Sequence, residues 1–142
     1  MSRRPDWQSA FDEFLCANRA RTFVWGQWDC CLFVADAILS ITGKDIAEEL
    51  RGRYSSLREA RWILRARCGS SSIERSVAKL FSVAGLPEVS PLFAHRGDPV
   101  IARGGSDFQI GVVGLNGSIV INSETQGLIE IPRTLAVRAW HI

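Results

Sequence analysis

The chain has little histidine and no long apolar run. Two of its 142 residues are histidines, His95 and His141, so few side chains are suited to proton transfer near neutral pH. No apolar stretch approaches the roughly 18–20 residues that a membrane-spanning helix needs, and the first residues lack the apolar segment of a signal peptide. We therefore expect a protein without a membrane span that is made in a cytoplasm.

The cysteines lack the spacing of a metal centre. Cys16, Cys30, Cys31 and Cys68 contain no C-x-x-C pair, so the sequence predicts no zinc site, no iron–sulfur cluster and no cofactor. Successive residues of a helix differ in direction, so we expect Cys30 and Cys31 to point to different sides of one. We also expect the thiols of Cys16, Cys31 and Cys68 to be buried.

The net charge of the chain is small. The 17 basic and 15 acidic residues leave a net charge of +2, which is no signature of a nucleic-acid partner. Arginines do cluster between positions 51 and 67, where a helix would spread them over more than one side. This arrangement favours a solvated face, with a patch for phosphate or a protein partner as the alternative.

The order of the predicted elements indicates an α+β fold in one domain, residues 1–142. The length allows a single core, and 46% hydrophobic residues are ordinary for a globular protein. Helical patterns cover 7–15, 30–42, 57–64 and 73–81, and a single turn of helix is predicted at 45–50. Ser56 with Glu59 and Ser71 with Glu74 are predicted capping boxes for the last two helices. Strand patterns follow at 99–103, 108–113, 118–122, 127–131 and 135–140, with Asn116-Gly117 as a two-residue hairpin turn. Helices followed by an antiparallel meander predict α+β.

One cysteine lies where a helix begins. Apolar residues recur with helical spacing from Cys30 to Ile41, and Asp29 is the expected N-cap. The positive end of the helix dipole favours a nucleophilic thiolate at Cys30, although the same pattern is also typical of simple core packing. Trp25, Gly26 and Trp28, just before the helix, are predicted to supply flexible backbone and aromatic walls for a binding site.

A thiol at a helix start, followed by antiparallel strands, resembles the papain plan, and four segments make the resemblance specific. Residues 25–34 resemble the nucleophile motif of the NlpC-like cell-wall cysteine peptidases, 97–100 their Gly-Asp strand opening, 108–114 their second-strand motif and 120–123 their third. The chain is more similar still to a small NlpC-like branch encoded in the tail gene clusters of phages and prophages. That branch shares the Asp-Trp and Ala-Trp pairs at 6–7 and 139–140.

The resemblance implies a papain-like, NlpC-type fold in which N-terminal helices pack on a C-terminal antiparallel five-stranded sheet or barrel. It implies that Cys30 is the nucleophile, that Gln109 occupies the position of the base histidine, and that Asn122 occupies the position of the residue that orients it. Glutamine has no titratable nitrogen and cannot act as a general base. His95, which lies two residues before Gly97, is the candidate substitute, with a purely structural role as the alternative.

Three functions remain open at this stage. The first is a non-catalytic structural or binding component of a phage tail tip, whose cleft grips a partner chain or a glycan. The second is an active thiol peptidoglycan hydrolase, an endopeptidase or an amidase. The third is an acyltransferase or transpeptidase that forms an acyl-enzyme at Cys30. The resemblance implies other tail-tip proteins as partners, peptidoglycan as a further candidate, synthesis in a bacterial cytoplasm and incorporation into a phage or prophage tail.

Overall fold

The computed structural model describes residues 1–142, and its four helices precede all six strands. The helices are α1 (Trp7–Asn18), α2 (Cys30–Thr42), α3 (Leu57–Cys68) and α4 (Ile73–Val83). The strands are β1 (Glu88–Val89), β2 (Pro99–Gly104), β3 (Asp107–Val113), β4 (Ile119–Ser123), β5 (Gly127–Ile131) and β6 (Ala136–Trp140). The α+β prediction is confirmed. No helix of the chain has the length and apolar character that crossing a bilayer requires.

Side-chain caps fix three of the helix starts. The Asp29 carboxylate accepts hydrogen bonds from the backbone N–H groups of Cys31 and Leu32, so α2 begins at Cys30 as predicted. Ser56 caps α3 in the predicted way. The capping residue of α4 is Ser72, not Ser71, because its hydroxyl is the one that accepts from the N–H of Arg75.

The sheet has six antiparallel strands and is open. Its strand order is β1-β6-β2-β3-β4-β5, so the two outer strands do not meet. The prediction of five strands was wrong because β1 has only two residues, Glu88 and Val89, which is too short for an alternating pattern. The barrel alternative was wrong as well, since β1 and β5 are not paired.

Two turns differ from their predicted form. Residues 45–50 form a bend and one hydrogen-bonded turn, in which the N–H of Leu50 donates to the Ala47 carbonyl, in place of the predicted helical turn. The β3–β4 connection is a longer loop than the predicted two-residue turn, and it is closed by the N–H of Gly114 donating to the Ser118 carbonyl. Gly117 adopts the expected positive φ, 80°.

Apolar residues pack against both faces of the sheet. On one face Ile110, Val112 and Val120 join the main core with Phe33 and Ile38 of α2. On the other face a second cluster gathers the alternate strand residues, Val100, Ala102, Val113, Ile119, Ile121 and Ala139. Because neighbouring strand residues point to opposite faces, membership of these clusters tells which face any β3 or β4 side chain occupies.

A buried carboxylate ties the two ends of the chain to the sheet. Asp98 has no exposed surface. Its Oδ1 accepts from Arg3 Nη2 at 2.8 Å and from the N–H of Ile142 at 3.1 Å. Its Oδ2 accepts from the N–H of His95 at 2.8 Å and lies 3.0 Å from Nδ1 of His141.

Candidate functional site

The Cys30 thiol borders a cleft at the end of the sheet. Cys30 is half-buried at the start of α2, and the cleft has a volume of about 230 Å³. It opens where β3 begins and β4 ends. Its lining residues are mostly apolar and come from the segment before α2, from α4, and from β3, β4 and β5: Phe23, Trp25, Cys30, Ile73, Phe108, Gln109, Ile110, Ile121, Asn122, Ser123, Glu124 and Ile129. The structure therefore brings Cys30, Gln109 and Asn122 to the lining of one cleft.

The residue before the thiol is a fully satisfied buried carboxylate. Asp29 has no exposed surface and accepts four hydrogen bonds. Two come from Cys31 and Leu32 in the first turn of α2, one from the N–H of Gly26 at 3.0 Å, and one from the Tyr54 hydroxyl at 2.6 Å. Burial, together with the nearby Asp29 charge, raises the pKa of Tyr54 strongly, which keeps its hydroxyl a donor. Both Asp29 oxygens are occupied, so Asp29 holds the helix start in place.

Cys31 is the one hydrogen-bonding partner of the Cys30 sulfur. The two Sγ atoms are 4.0 Å apart, so the expectation that they point to different sides of the helix was wrong. Successive helix residues start out in different directions, but each Sγ rotates about its Cα–Cβ bond, and here the two rotate toward each other. The hydrogen bond with Cys30, followed by burial, raises the pKa of Cys31 well above its ordinary value of 9.0. Cys31 is half-buried, whereas Cys16, predicted to be buried, is exposed.

Asn122 bonds to the backbone that leads into α2. Its Nδ2 donates to the carbonyl oxygens of Trp28 at 3.1 Å and Asp29 at 3.4 Å. Only 4% of the residue is exposed, and its Oδ1 is buried with no hydrogen-bond partner. Asn122 thus fixes the main chain on which Cys30 stands, and it makes no contact of this kind with residue 109.

Gln109 lies on the opposite face of the sheet from Asn122. Gln109 is paired with Ala102 of the second cluster, so its side chain is on the face of that cluster. Asn122 follows Ile121, which belongs to the same cluster, so the Asn122 side chain is on the other face. The Gln109 side chain folds over Gly104, where an added Cβ would lie 2.5 Å from its Oε1. No hydrogen bond joins Gln109 to the Cys30 sulfur. The predicted relation, in which residue 122 orients residue 109, is therefore not formed.

Both histidines lie at the far end of β3. The N–H of Gly97 donates to the carbonyl of Val113, so the segment with His95 flanks the end of that strand. The cleft lies at its beginning, four residues away, which is about 13 Å at the usual strand rise. The His95 and His141 rings pack against each other at 5.2 Å beside Asp98, and neither borders the cleft. His95 does not serve as a substitute base in this geometry.

One family model spans nearly the whole chain. It carries the description "domain of unknown function (DUF6950)" and matches residues 2–142. The chain belongs to the DUF6950 family. No curated protein matches it.

Of the three predicted binding residues, one borders the cleft of the DUF6950 domain. Trp25 lines it, with its ring edge-on to Phe23 at 4.9 Å. Trp28 is 1% exposed and packs in the main core. Gly26 adopts a φ of +79°, and an added Cβ would lie 1.9 Å from the Tyr54 carbonyl oxygen. Gly26 and Trp28 therefore shape the turn before α2 and are not free to bind.

Three further cleft residues were not predicted as site residues. Phe108 and Ser123 lie within the two segments that resemble strand motifs, but neither was singled out, and Glu124 lies outside every motif. A larger open groove of about 480 Å³ lies between residues 45–50 and helices α3 and α4 of the DUF6950 domain. Its charged residues are of both signs and its thiol, Cys68, has a pKa raised by burial. Cys30, Gln109 and Asn122 all line the smaller cleft.

Proposed function

We propose that this DUF6950 domain is a papain-like module of the NlpC type that binds a partner in its Cys30 cleft without cleaving it. In this proposal it serves as a structural or binding component of a phage or prophage tail. The partner is a segment of another tail protein or a glycan of the cell wall.

The papain-like assignment is supported by the arrangement of elements around the thiol. Cys30 begins a helix that packs on an antiparallel sheet, and Gln109 and Asn122 occupy neighbouring strands that meet at the same cleft. The motifs that resemble NlpC-like peptidases occur in the same order along the chain. Order and packing together support the fold relation, whereas activity depends on the side chains at the cleft.

The absence of a base next to the thiol carries the non-catalytic part of the proposal. A general base must lie within about 2.6–3.2 Å of the proton that it accepts, directly or through one water. The hydrogen-bonding partner of Cys30 Sγ is another thiol, Cys31. The imidazoles are at the other end of β3, and the Asn122 amide is engaged with backbone carbonyls. A peptidase or acyltransferase would need a base from its substrate.

The lining of the cleft suits binding. Trp25, Phe23 and Phe108 offer aromatic surface, and Phe108 is 46% exposed. Gln109, Asn122, Ser123 and Glu124 are the polar residues of its lining. A cleft with apolar walls and a few polar groups is the usual form of a site that recognises a ligand.

Turnover of peptidoglycan tests the proposal. The purified domain is incubated with peptidoglycan, and soluble muropeptides are measured by mass spectrometry, with Cys30→Ala as the matched control. We expect no release above that control. Release by the unmodified domain that Cys30→Ala abolishes would establish the hydrolase alternative.

Binding is tested separately in the tail itself. Trp25→Ala removes an aromatic wall of the cleft, and Trp62→Ala removes an aromatic ring that is 74% exposed on α3, away from the cleft. We expect Trp25→Ala to lower incorporation into tail particles at least tenfold and Trp62→Ala to leave it unchanged. Equal incorporation of both variants would contradict a role for the cleft.

A further inference from the structure

The paired thiols at the start of α2 have a spacing that the binding proposal does not use. Cys30 Sγ and Cys31 Sγ are 4.0 Å apart. Metal–sulfur bonds of about 2.3 Å place two sulfurs of one ion about 3.8 Å apart at the tetrahedral angle and about 4.6 Å apart when the three atoms are in line. The observed separation falls between these limits. A disulfide, by contrast, needs about 2.05 Å and would have to distort the helix start.

Both thiols also border one small cavity. The cavity has a volume of about 20 Å³ and is lined by apolar residues of α2, α3 and α4, among them Ala60, Leu64 and Val77. A volume of about 10–15 Å³ is enough for one water-sized occupant. Cys30 is half-buried and borders the open cleft as well, so its thiol lies between the cavity and solvent.

The available ligands select the kind of ion. The Asp29 carboxylate lies within 4.8 Å of both sulfurs, but its oxygens already accept four hydrogen bonds. No histidine borders the cavity. Zn²⁺ favours four ligands of nitrogen, sulfur or oxygen, and two thiolates leave that set incomplete. Thiolate pairs select soft ions, of which Cu(I) is the biological example.

We propose that Cys30 and Cys31 together form a site for a single soft, thiophilic cation of the Cu(I) class. Both thiols lose a proton to solvent as two copper–sulfur bonds form, and copper stays Cu(I), so no electron is transferred. The complex carries one negative charge, which the positive end of α2 stabilises. The buried Asp29 carboxylate attracts the cation but repels the two thiolates, so it adds no net stabilisation to the anionic complex. The inference does not depend on the binding proposal, because it concerns a side of Cys30 that faces the helices.

Titration with Cu(I) buffered by bicinchoninate tests the site in the full chain. We expect one Cu(I) per chain, and at least 100-fold weaker binding in Cys30→Ser and in Cys31→Ser. The matched control is Cys16→Ser combined with Cys68→Ser, which should bind as tightly as the unmodified chain. Binding that survives Cys30→Ser and Cys31→Ser unchanged, or one ion shared by two chains, would overturn the proposal.

Protection from alkylation supplies a readout that needs no variant. The chain is treated with N-ethylmaleimide with and without one equivalent of Cu(I), and each cysteine peptide is measured by mass spectrometry. We expect Cu(I) to protect Cys30 and Cys31 at least tenfold and to leave Cys16 reactive. Equal protection by one equivalent of Zn²⁺, or protection of Cys16 in place of the pair, would contradict the assignment.

Discussion

The buried carboxylate of Asp98 provides the sharpest test of how the fold is held together. Asp98→Asn keeps the size of the side chain and replaces one oxygen by an NH₂ group. In the native chain the two oxygens face four groups, those of Arg3, Ile142, His95 and His141. An asparagine offers one acceptor oxygen, so about half of these hydrogen bonds are lost and donors face a donor.

The magnitude follows from the charge that is left behind. The Arg3 side chain is 16% exposed and Asp98 is not exposed at all, so the ion pair is largely buried. Removing one partner of a buried ion pair costs about 3–5 kcal/mol, because the other charge stays uncompensated. We expect Asp98→Asn to lower the free energy of unfolding by about 3 kcal/mol or more. For a chain of this length that corresponds to a fall in Tm of roughly 10 °C.

An exposed ion pair is the matched control. Arg4 and Asp6 lie at the same 2.8 Å, but their side chains are 46% and 57% exposed. Surface pairs contribute roughly 0–1 kcal/mol, so Asp6→Asn should change stability little. Urea unfolding followed by circular dichroism gives both values. If the two variants lose equal stability, or if Asp98→Asn loses less than about 1 kcal/mol, the buried carboxylate does not fasten the two ends as argued.

Three further outcomes follow from the helix start and the turn before it. Gly26→Ala should destabilise the fold by several kcal/mol, because the added Cβ meets the Tyr54 carbonyl oxygen. The control, Gly52→Ala, is also at positive φ but in open space and should cost about 1–2 kcal/mol; thermal unfolding measures both variants. Because folding raises the pKa of Cys31, the stabilisation from its protonated thiol is present below pH 9.0 and is lost as the pH rises further. Cys31→Ser should therefore reduce the fall of the unfolding free energy with pH between pH 8 and 10.5, and an unchanged slope would refute this. Asn122→Ala should cost about 1–2 kcal/mol through the loss of two hydrogen bonds, although the carbonyls of Trp28 and Asp29 each keep a backbone partner. It should also raise the alkylation rate of Cys30 as the helix start loosens, and an unchanged rate would show that Asn122 only fills space.

Local patterns predicted most of the fold. The amphipathic spacing and the Asp29 cap fixed the start of α2, and each of the five predicted strands appears within one residue of its expected bounds. These features depend on neighbours in the chain, which a sequence shows directly. Strand β1, which was not predicted, depends on a distant partner instead, because Glu88 and Val89 form a strand only by pairing with β6. The helical turn predicted at 45–50 does not form.

The candidate site shows the same limit more clearly, because a motif fixes order along the chain but not the face of a strand. Residues 109 and 122 are matched by order to a base and its orienting residue, yet pairing of Ala102 with Gln109 puts residue 109 on the face of the second cluster. On β4 that face is occupied by Ile121, which is buried and apolar, while Asn122 faces α2. A histidine at position 109 would therefore lack a polar partner from Asn122, and Gln109→His alone should not restore a working base. Continuing the β3–β4 register from Gly111↔Ile121 puts position 123 opposite residue 109, so position 123 is where an orienting side chain would have to stand.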